Sequence, residues 1–266
     1  MGPKIVYLAE RNPALDATAW PERWREHGEL NRGLPSWSHI WRYEQNRTIA
    51  MPERLAARVP GARSCEECAG VGAVSYRSHL ARSQMREEPC REQIRADEVE
   101  TFGRTVDHFA MTTCEQTRRE VDETGVKLVV FLLGAGDAAR EEFWRSWRAC
   151  IASPLLAPLW DAASAYIENP ALEPVRRSRS ASCVERDRLP DYDGVAEIGF
   201  RDLGALTAAI DRSDVARALE RVGEELDRSL STTVLVEQTV LYDELEGRDW
   251  TFAELLALRR RQRGAG

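Results

Sequence analysis

The sequence predicts an α+β chain made of two copies of one βαββαβ unit, and three observations predict it. VKLVVFLL (126–133) is a continuous apolar run of strand length and strand composition. Behind it Phe143, Trp147 and Ile151 recur at spacings of four, one apolar stripe of a helix, and LWDAASAYIEN (159–169) then reads as a returning strand. Strand, helix and strand within 44 residues (126–169) make half of a ferredoxin-like unit. The third observation is that the pattern repeats.

The repeat has a nearly constant offset. Lys4 and Lys127 open comparable strands 123 positions apart. Trp24 in ERWRE and Trp147 in RSWRA have the same separation, as do Tyr43 and Asn46 against Tyr166 and Asn169. GVGAVSYR (70–77) matches GVAEIGFR (194–201) at 124, and Glu115-Gln116 matches Glu237-Gln238 at 122. The expected division is 1–123, 124–245 and a tail, 246–266.

The elements follow in order. In copy one KIVYLAE is the first strand, and a helix over 18–30 puts Trp20 and Trp24 on one face. Residues 37–47 are the second strand, 48–69 a long connection, Gly70–Tyr76 the third strand, 78–101 broken helix and 108–116 the fourth strand. Copy two repeats this with strands near 126–133, 159–168, 194–200 and 231–242, and helices near 137–152 and 202–228. Asp137 is the expected N-cap of its first helix, and Pro154 and Pro158 the stop. Its long connection, 170–190, carries the Arg/Ser-rich VRRSRSAS, and 250–263 reads as a C-terminal helix with a basic end.

Composition narrows the function classes. The chain has 266 residues, 43% of them hydrophobic, and a net charge of −7, which argues against a general nucleic-acid binder. No apolar run approaches membrane-spanning length, and no secretory leader precedes the first strand, so a cytoplasmic protein is expected. Of the 37 basic residues only Lys4 and Lys127 are lysine, a bias read here as genome composition. Cys65 and Cys68 have zinc-ligand or redox spacing, but the second pair that a zinc site needs is missing, so no metal is expected. G-x-G-x-x-G, G-x-x-x-x-G-K-[ST] and G-x-S-x-G do not occur.

The string VKLVVFL…EEFWRSWR…SPLL…YIEN…YDGVAEIGF…VLVEQTV resembles the EthD family of dimeric α+β barrel proteins. The resemblance covers most of 126–242 and, more faintly, 4–116. It implies two sheets packed into a barrel around a small-molecule cleft, here formed within one chain as monomer or homodimer. Family members carry a histidine after the helix Trp-Arg. Copy one has His27 after Trp24-Arg25, one residue early, and copy two has Ile151 in its place, so chemistry by this histidine belongs to copy one alone. Double-length relatives resemble the oxygenases that open or contract rings in angucycline-type polyketide pathways. That implies a polycyclic phenol or quinone as substrate, reduced flavin (FADH2 or FMNH2) with oxygen, and a separate flavin reductase as partner. The sequence carries no flavin fingerprint.

Within copy one the second strand alternates Trp37, His39, Trp41 and Tyr43, where copy two has Trp160, Ala162, Ser164 and Tyr166. We assign that face to the barrel interior, as an aromatic cleft with an imidazole to take a phenolic proton. The candidate catalytic groups are His39, His27 and Tyr43, and the candidate lining groups Trp37, Trp41, His108, Tyr7 and Tyr166. The plainer alternatives are core aromatics around a satisfied histidine, a helix-terminal dipole partner for His27, and surface positions for His79 and His108. The expected function is an oxygenase of aromatic polyketide tailoring. The alternatives are a cyclase or dehydratase with a histidine base, and a non-catalytic binding or stress protein.

Overall fold

Strand alternation divides each copy into a face that meets the other copy and a face that meets its own helices. In β1 (Lys4–Ala9), Val6 and Leu8 join the shared interior while Ile5, Tyr7 and Ala9 pack under helices. In β6 (Val126–Leu132), Val129 and Phe131 join the same interior, and Leu128, Val130 and Leu132 face the other way. The computed structural model describes residues 2–59, 61–120, 123–135, 139–172, 192–224, 226–227, 231–245 and 248–249.

Copy one continues with α1 (Trp20–Arg32), β2 (Ile40–Thr48), the short α2 (Glu53–Ala56), β3 (Gly70–Tyr76), α3 (His79–Glu87), α4 (Arg91–Phe102), β4 (Ala110–Thr113) and β5 (Gln116–Glu120). Copy two adds α5 (Arg140–Ile151), α6 (Ala157–Ala162), β7 (Ala163–Pro170), β8 (Gly194–Phe200), α7 (Leu203–Ile210), α8 (Ser213–Glu224), β9 (Thr232–Glu237), β10 (Val240–Asp243) and β11 (Arg248–Asp249). The strand order is β4-β1-β3-β2 in one copy and β9-β6-β8-β7 in the other, the same antiparallel ferredoxin-like order twice.

Each final strand also crosses to its neighbour. After β4 pairs with β1, β5 pairs with β7, and after β9 pairs with β6, β10 pairs with β2. Bridges at Arg47↔Glu237 and Thr113↔Ala171 close the two seams. The result is a sheet curled on itself within one chain, which leaves few open edges.

Several local expectations are corrected. Residues 37–39 are not strand: Pro35 opens a 3-10 turn (Pro35–His39), and β2 starts at Ile40 with a register shift before Arg42. Likewise Val106–His108 is a 3-10 turn, so the fourth strand starts at Ala110, and it splits into β4 and β5 where it changes partner. Residues 159–162 belong to α6, and Pro154 and Pro158 open turns, since a proline at the first helical position loses no bonded N–H. Asp137, most of the 170–190 connection and the 250–263 helix lie outside the described residues. The helix stripes do hold: Trp20 and Trp24, and Phe143, Trp147 and Ile151, are all buried.

The largest departure is the barrel interior. One half is apolar, with Val6, Leu8, Val129, Phe131, Val195, Val234 and Val236. The other half is ionic. Lys4 Nζ donates to Glu115 at 2.7 Å and Glu197 at 2.6 Å, and Lys127 Nζ donates to Glu44 and Glu197, both at 2.9 Å. Glu197 therefore bridges both lysines, one from each copy, and Asn169 donates to it at 3.0 Å. Arg42 adds ion pairs with Glu44 at 3.0 Å and Asp243 at 3.5 Å. Both lysines are at most 2% exposed. The scarcity of lysine thus has a structural side: the two positions that keep it each place a compact ammonium between two buried carboxylates.

Burial opposes the charge on Glu44 and Glu197, but the lysine ammoniums outweigh it and hold both carboxyls below the ordinary 4.5. Burial likewise opposes the charge on Lys4, and Glu115 and Glu197 outweigh it, raising its pKa. Lowered carboxyls give stability that is complete above their unfolded value and is lost as pH falls through the folded one. The raised lysine gives stability that is lost only above its ordinary 10.5. Thermal stability is therefore expected to be flat from about pH 5 to 9, with cooperative unfolding only well below pH 4.5, as read by circular dichroism across a pH series.

Among the described residues no helix is long and apolar enough to cross a membrane. Cys65 is exposed and Cys68 is buried, its thiol donating to Gly70 O at 3.2 Å and pushed up to about 12, mainly by burial.

Candidate functional site

The helical layers of the two copies differ in packing. Under α5–α8 the apolar side chains form one continuous cluster, which Leu55 and Val59 from copy one's long connection complete. Under α1, α3 and α4 there are two clusters instead, Trp20, Trp24, Phe102 and Phe109 with Tyr7 on one side and Ile40, Tyr43, Tyr76, Met85 and Ile94 on the other. Between them lies a cleft with about 620 Å³ of empty volume, counting its open mouth.

The sheet side of the cleft rests on a glycine. Tyr7 of β1 pairs directly with Gly72 of β3, and a Cβ on Gly72 would stand 2.0 Å from the Tyr7 ring. In copy two the matched pair is Val130 and Ala196. A large residue on glycine has become a middling residue on alanine, and the aromatic has left. Gly72→Ala is expected to cost about 1–3 kcal/mol through overpacking. Adding Tyr7→Val, the copy-two pairing, is expected to remove much of that cost, which a denaturant-unfolding double-mutant cycle measures.

The chemistry lies on α1 and α4. His27 is not at a helix end but in the second turn of α1, 4% exposed, with its ring edge against Phe102. Its Nδ1 is 2.5 Å from Asp97 Oδ2, and Asn31 Nδ2 is 3.2 Å from its Nε2. Since the Asp97 carboxylate can only accept and the Asn31 amide nitrogen can only donate, the ring proton sits on Nδ1, facing Asp97, and Nε2 accepts. Burial resists ionisation of Asp97, but hydrogen bonds from His27 and Arg23 outweigh it and hold the carboxyl below its usual range. The arrangement is an imidazole oriented by a carboxylate, with its basic nitrogen covered by a side-chain amide.

Around it stand three buried phenols. Tyr43 accepts from Gln45 Nε2 at 2.8 Å, and Tyr76 donates to the Met85 sulfur at 3.2 Å. Burial pushes Tyr43 and Tyr76 up to about 12 and raises Tyr7 well above 10. All three stay protonated near neutral pH and can donate to a ligand oxygen. Glu98 lines the cleft too; burial raises its carboxyl although Arg91 lies 3.2 Å away and the Val106 N–H donates to it at 2.9 Å. Trp37 leaves an aromatic wall, edge-on to Tyr43 at 5.7 Å and tilted against Tyr242 at 5.2 Å.

The cleft thus brings together Tyr7, His27, Trp37 and Tyr43. It excludes the other candidates. His39 sits in the turn before β2, 3.4 Å from Glu88. Trp41 is buried but lines no part of the cleft, and His108 and His79 are exposed. Tyr166 lies in copy two, accepting from Trp147 at 2.9 Å and donating to Glu168 at 3.1 Å. Assigning the aromatic face to the barrel interior is corrected: Tyr43 lies under the helices, and the interior carries the ion cluster instead. Sequence reasoning did not find Asn31, Asp97, Glu98 or Arg91. The one signal for them was the helical spacing of Arg91, Ile94, Glu98 and Phe102, all buried on one face of α4. Among the described residues no group of three or more His, Cys, Asp or Glu is placed to hold a metal.

No protein-family model matches the sequence, and no curated protein matches it. Solved structures do match in shape. An anthrone oxidase-like protein superposes with a TM-score of 0.56 at 9% identity, over 91% of this chain and 94% of that one. A protein of Fusobacterium nucleatum subsp. nucleatum ATCC 25586, provisionally named a monooxygenase, superposes with a TM-score of 0.52 at 8% identity, over 90% and 94%. At these identities the likeness is one of fold, the dimeric α+β barrel, over nearly the whole length of both chains.

Proposed function

We propose that the chain is an oxygenase of planar phenols, of the polycyclic kind found in aromatic polyketide tailoring, and that the cleft of copy one is its active site. The observation that carries the reading is the His27–Asp97 pair opening into an aromatic cleft of copy one, where the described apolar side chains under the helices of copy two form one continuous cluster. The fold shared with structures named monooxygenase and anthrone oxidase-like supports it.

In this reading the ring of the substrate lies against Trp37 and Tyr43, and its hydroxyl replaces the Asn31 amide at His27 Nε2. His27 takes the phenolic proton while Asp97 steadies the imidazolium that forms. Tyr7 and Tyr43 donate to the oxyanion, and the dry wall of Ile5, Val74 and Ile94 keeps those hydrogen bonds strong. The electron-rich phenolate is the species that oxygen oxidises.

Reduced flavin is the companion reagent suggested by the sequence resemblance, and the cleft does not fit it as a resident group. A phosphate-bearing tail would bring nearly two negative charges to a wall where Glu98 and Asp107 already hold Arg91. No step is assigned to it.

The test is oxygen uptake with 1,8-dihydroxyanthrone. The reading predicts one O2 consumed per molecule, with 1,8-dihydroxyanthraquinone and water as products, without added flavin. Conversion of a polycyclic phenol with no oxygen consumed would turn the assignment towards cyclase or dehydratase chemistry.

A further inference from the structure

We propose that one wall of this cleft is a carboxylate subsite, so that the substrate is a planar hydroxyaromatic acid. The inference rests on the reading of the cleft as a phenol site and adds a second recognition point. Three guanidiniums line the cleft, Arg82 and Arg86 of α3 and Arg91 at the start of α4. Against them stand two carboxylates, Glu98 and Asp107, and Arg91 holds both, at 3.2 Å and 2.7 Å. Arg95, outside the cleft, also holds Asp107 at 3.2 Å, and among the charged groups that line the cleft the guanidiniums outnumber the carboxylates by one. Arg86 is exposed and makes no hydrogen bond or ion pair among the described residues, which marks its wall as the open one.

A second observation points the same way. Arg91 is only 9% exposed, and its buried Nε–H has no acceptor. A buried donor left unmade is costly, and a ligand oxygen arriving at this wall would satisfy it. A single excess charge suits a monoanion, whereas a phosphate would bring nearly two negative charges. A carboxylate also lies in the plane of the ring that carries it and presents two oxygens to a guanidinium fork. Arg82 and Arg86 belong to α3 and His27 to α1, so the acid and the phenol would be held from different helices on the two sides of the cleft.

The test titrates the full chain with two quinones of one ring system, 1,8-dihydroxyanthraquinone and 4,5-dihydroxyanthraquinone-2-carboxylic acid, following tryptophan fluorescence. The acid is expected to bind at least about tenfold more tightly at low salt, the advantage shrinking as salt is raised. Arg86→Gln is expected to cut the advantage to about threefold and Arg82→Gln/Arg86→Gln to abolish it, with the neutral quinone's Kd unchanged throughout. Equal binding of both quinones by the unaltered chain, or an advantage that survives the double variant, would overturn the subsite alone. Displacement of the acid by millimolar inorganic phosphate at matched ionic strength would overturn the choice of carboxylate. Failure of both quinones to bind would overturn the phenol reading of the cleft and the subsite with it.

Discussion

Lys127→Met is expected to destabilise the protein by about 3–5 kcal/mol, the usual result of breaking a buried ion pair from one side. Lys127 is 2% exposed and is held at 2.9 Å by both Glu44 and Glu197. Methionine fills most of its volume, so the loss comes less from a cavity than from two carboxylates left short of a cation. For a chain of this size that corresponds to a fall in Tm of roughly 6–20 °C. Adding Glu44→Gln should restore part of it, because the second change removes one of the stranded charges. Lys4→Met should behave alike, as Lys4 answers Glu115 and Glu197. A fall of less than about 1 kcal/mol, the size of a surface pair, would show that the cluster is hydrated and not buried.

His27→Gln is expected to lower oxygen uptake with 1,8-dihydroxyanthrone by about 10²- to 10⁴-fold, the range of a lost general base. Glutamine keeps a hydrogen-bonding group toward Asp97 but takes up no proton near neutral pH. The Kd of 1,8-dihydroxyanthraquinone should change by less than about threefold, because ring contacts with Trp37 and Tyr43 persist. Since His27 is buried, the unfolding midpoint of the variant has to be recorded beside its turnover. His39→Gln, outside the cleft, should stay within about twofold of the parent. Full turnover by His27→Gln, or a large loss in His39→Gln, would place the base elsewhere.

Much of the fold was legible because it is written twice. A constant offset between Lys4 and Lys127, Trp24 and Trp147, and the two glycine-led third strands survives substitutions that hide either copy alone. Strand faces were legible only in part. Alternation assigns Tyr43 and Glu44 to opposite sides, but not which side meets the helices. The choice went wrong because an ionic interior contradicts the expectation that charge points outward, and the cluster is invisible until five chain segments meet. Trp37 and His39 were drawn into a strand by their spacing, although Pro35 two residues earlier favours the turn that forms. The His27–Asp97 contact joins residues 70 positions apart on two helices, so no local pattern announces it. The asymmetry between GVG and GVA was in plain view, yet its meaning depends on Tyr7 lying across Gly72.

The claim that copy one alone holds a phenol site beneath its helices is tested most directly by a crystal structure with 1,8-dihydroxyanthraquinone bound. The account predicts one quinone per chain, between β1–β3 and α1, α3 and α4, with an oxygen at His27 Nε2 and the ring beside Trp37 and Tyr43. A quinone inside the barrel, or under α5–α8 of copy two, would contradict it.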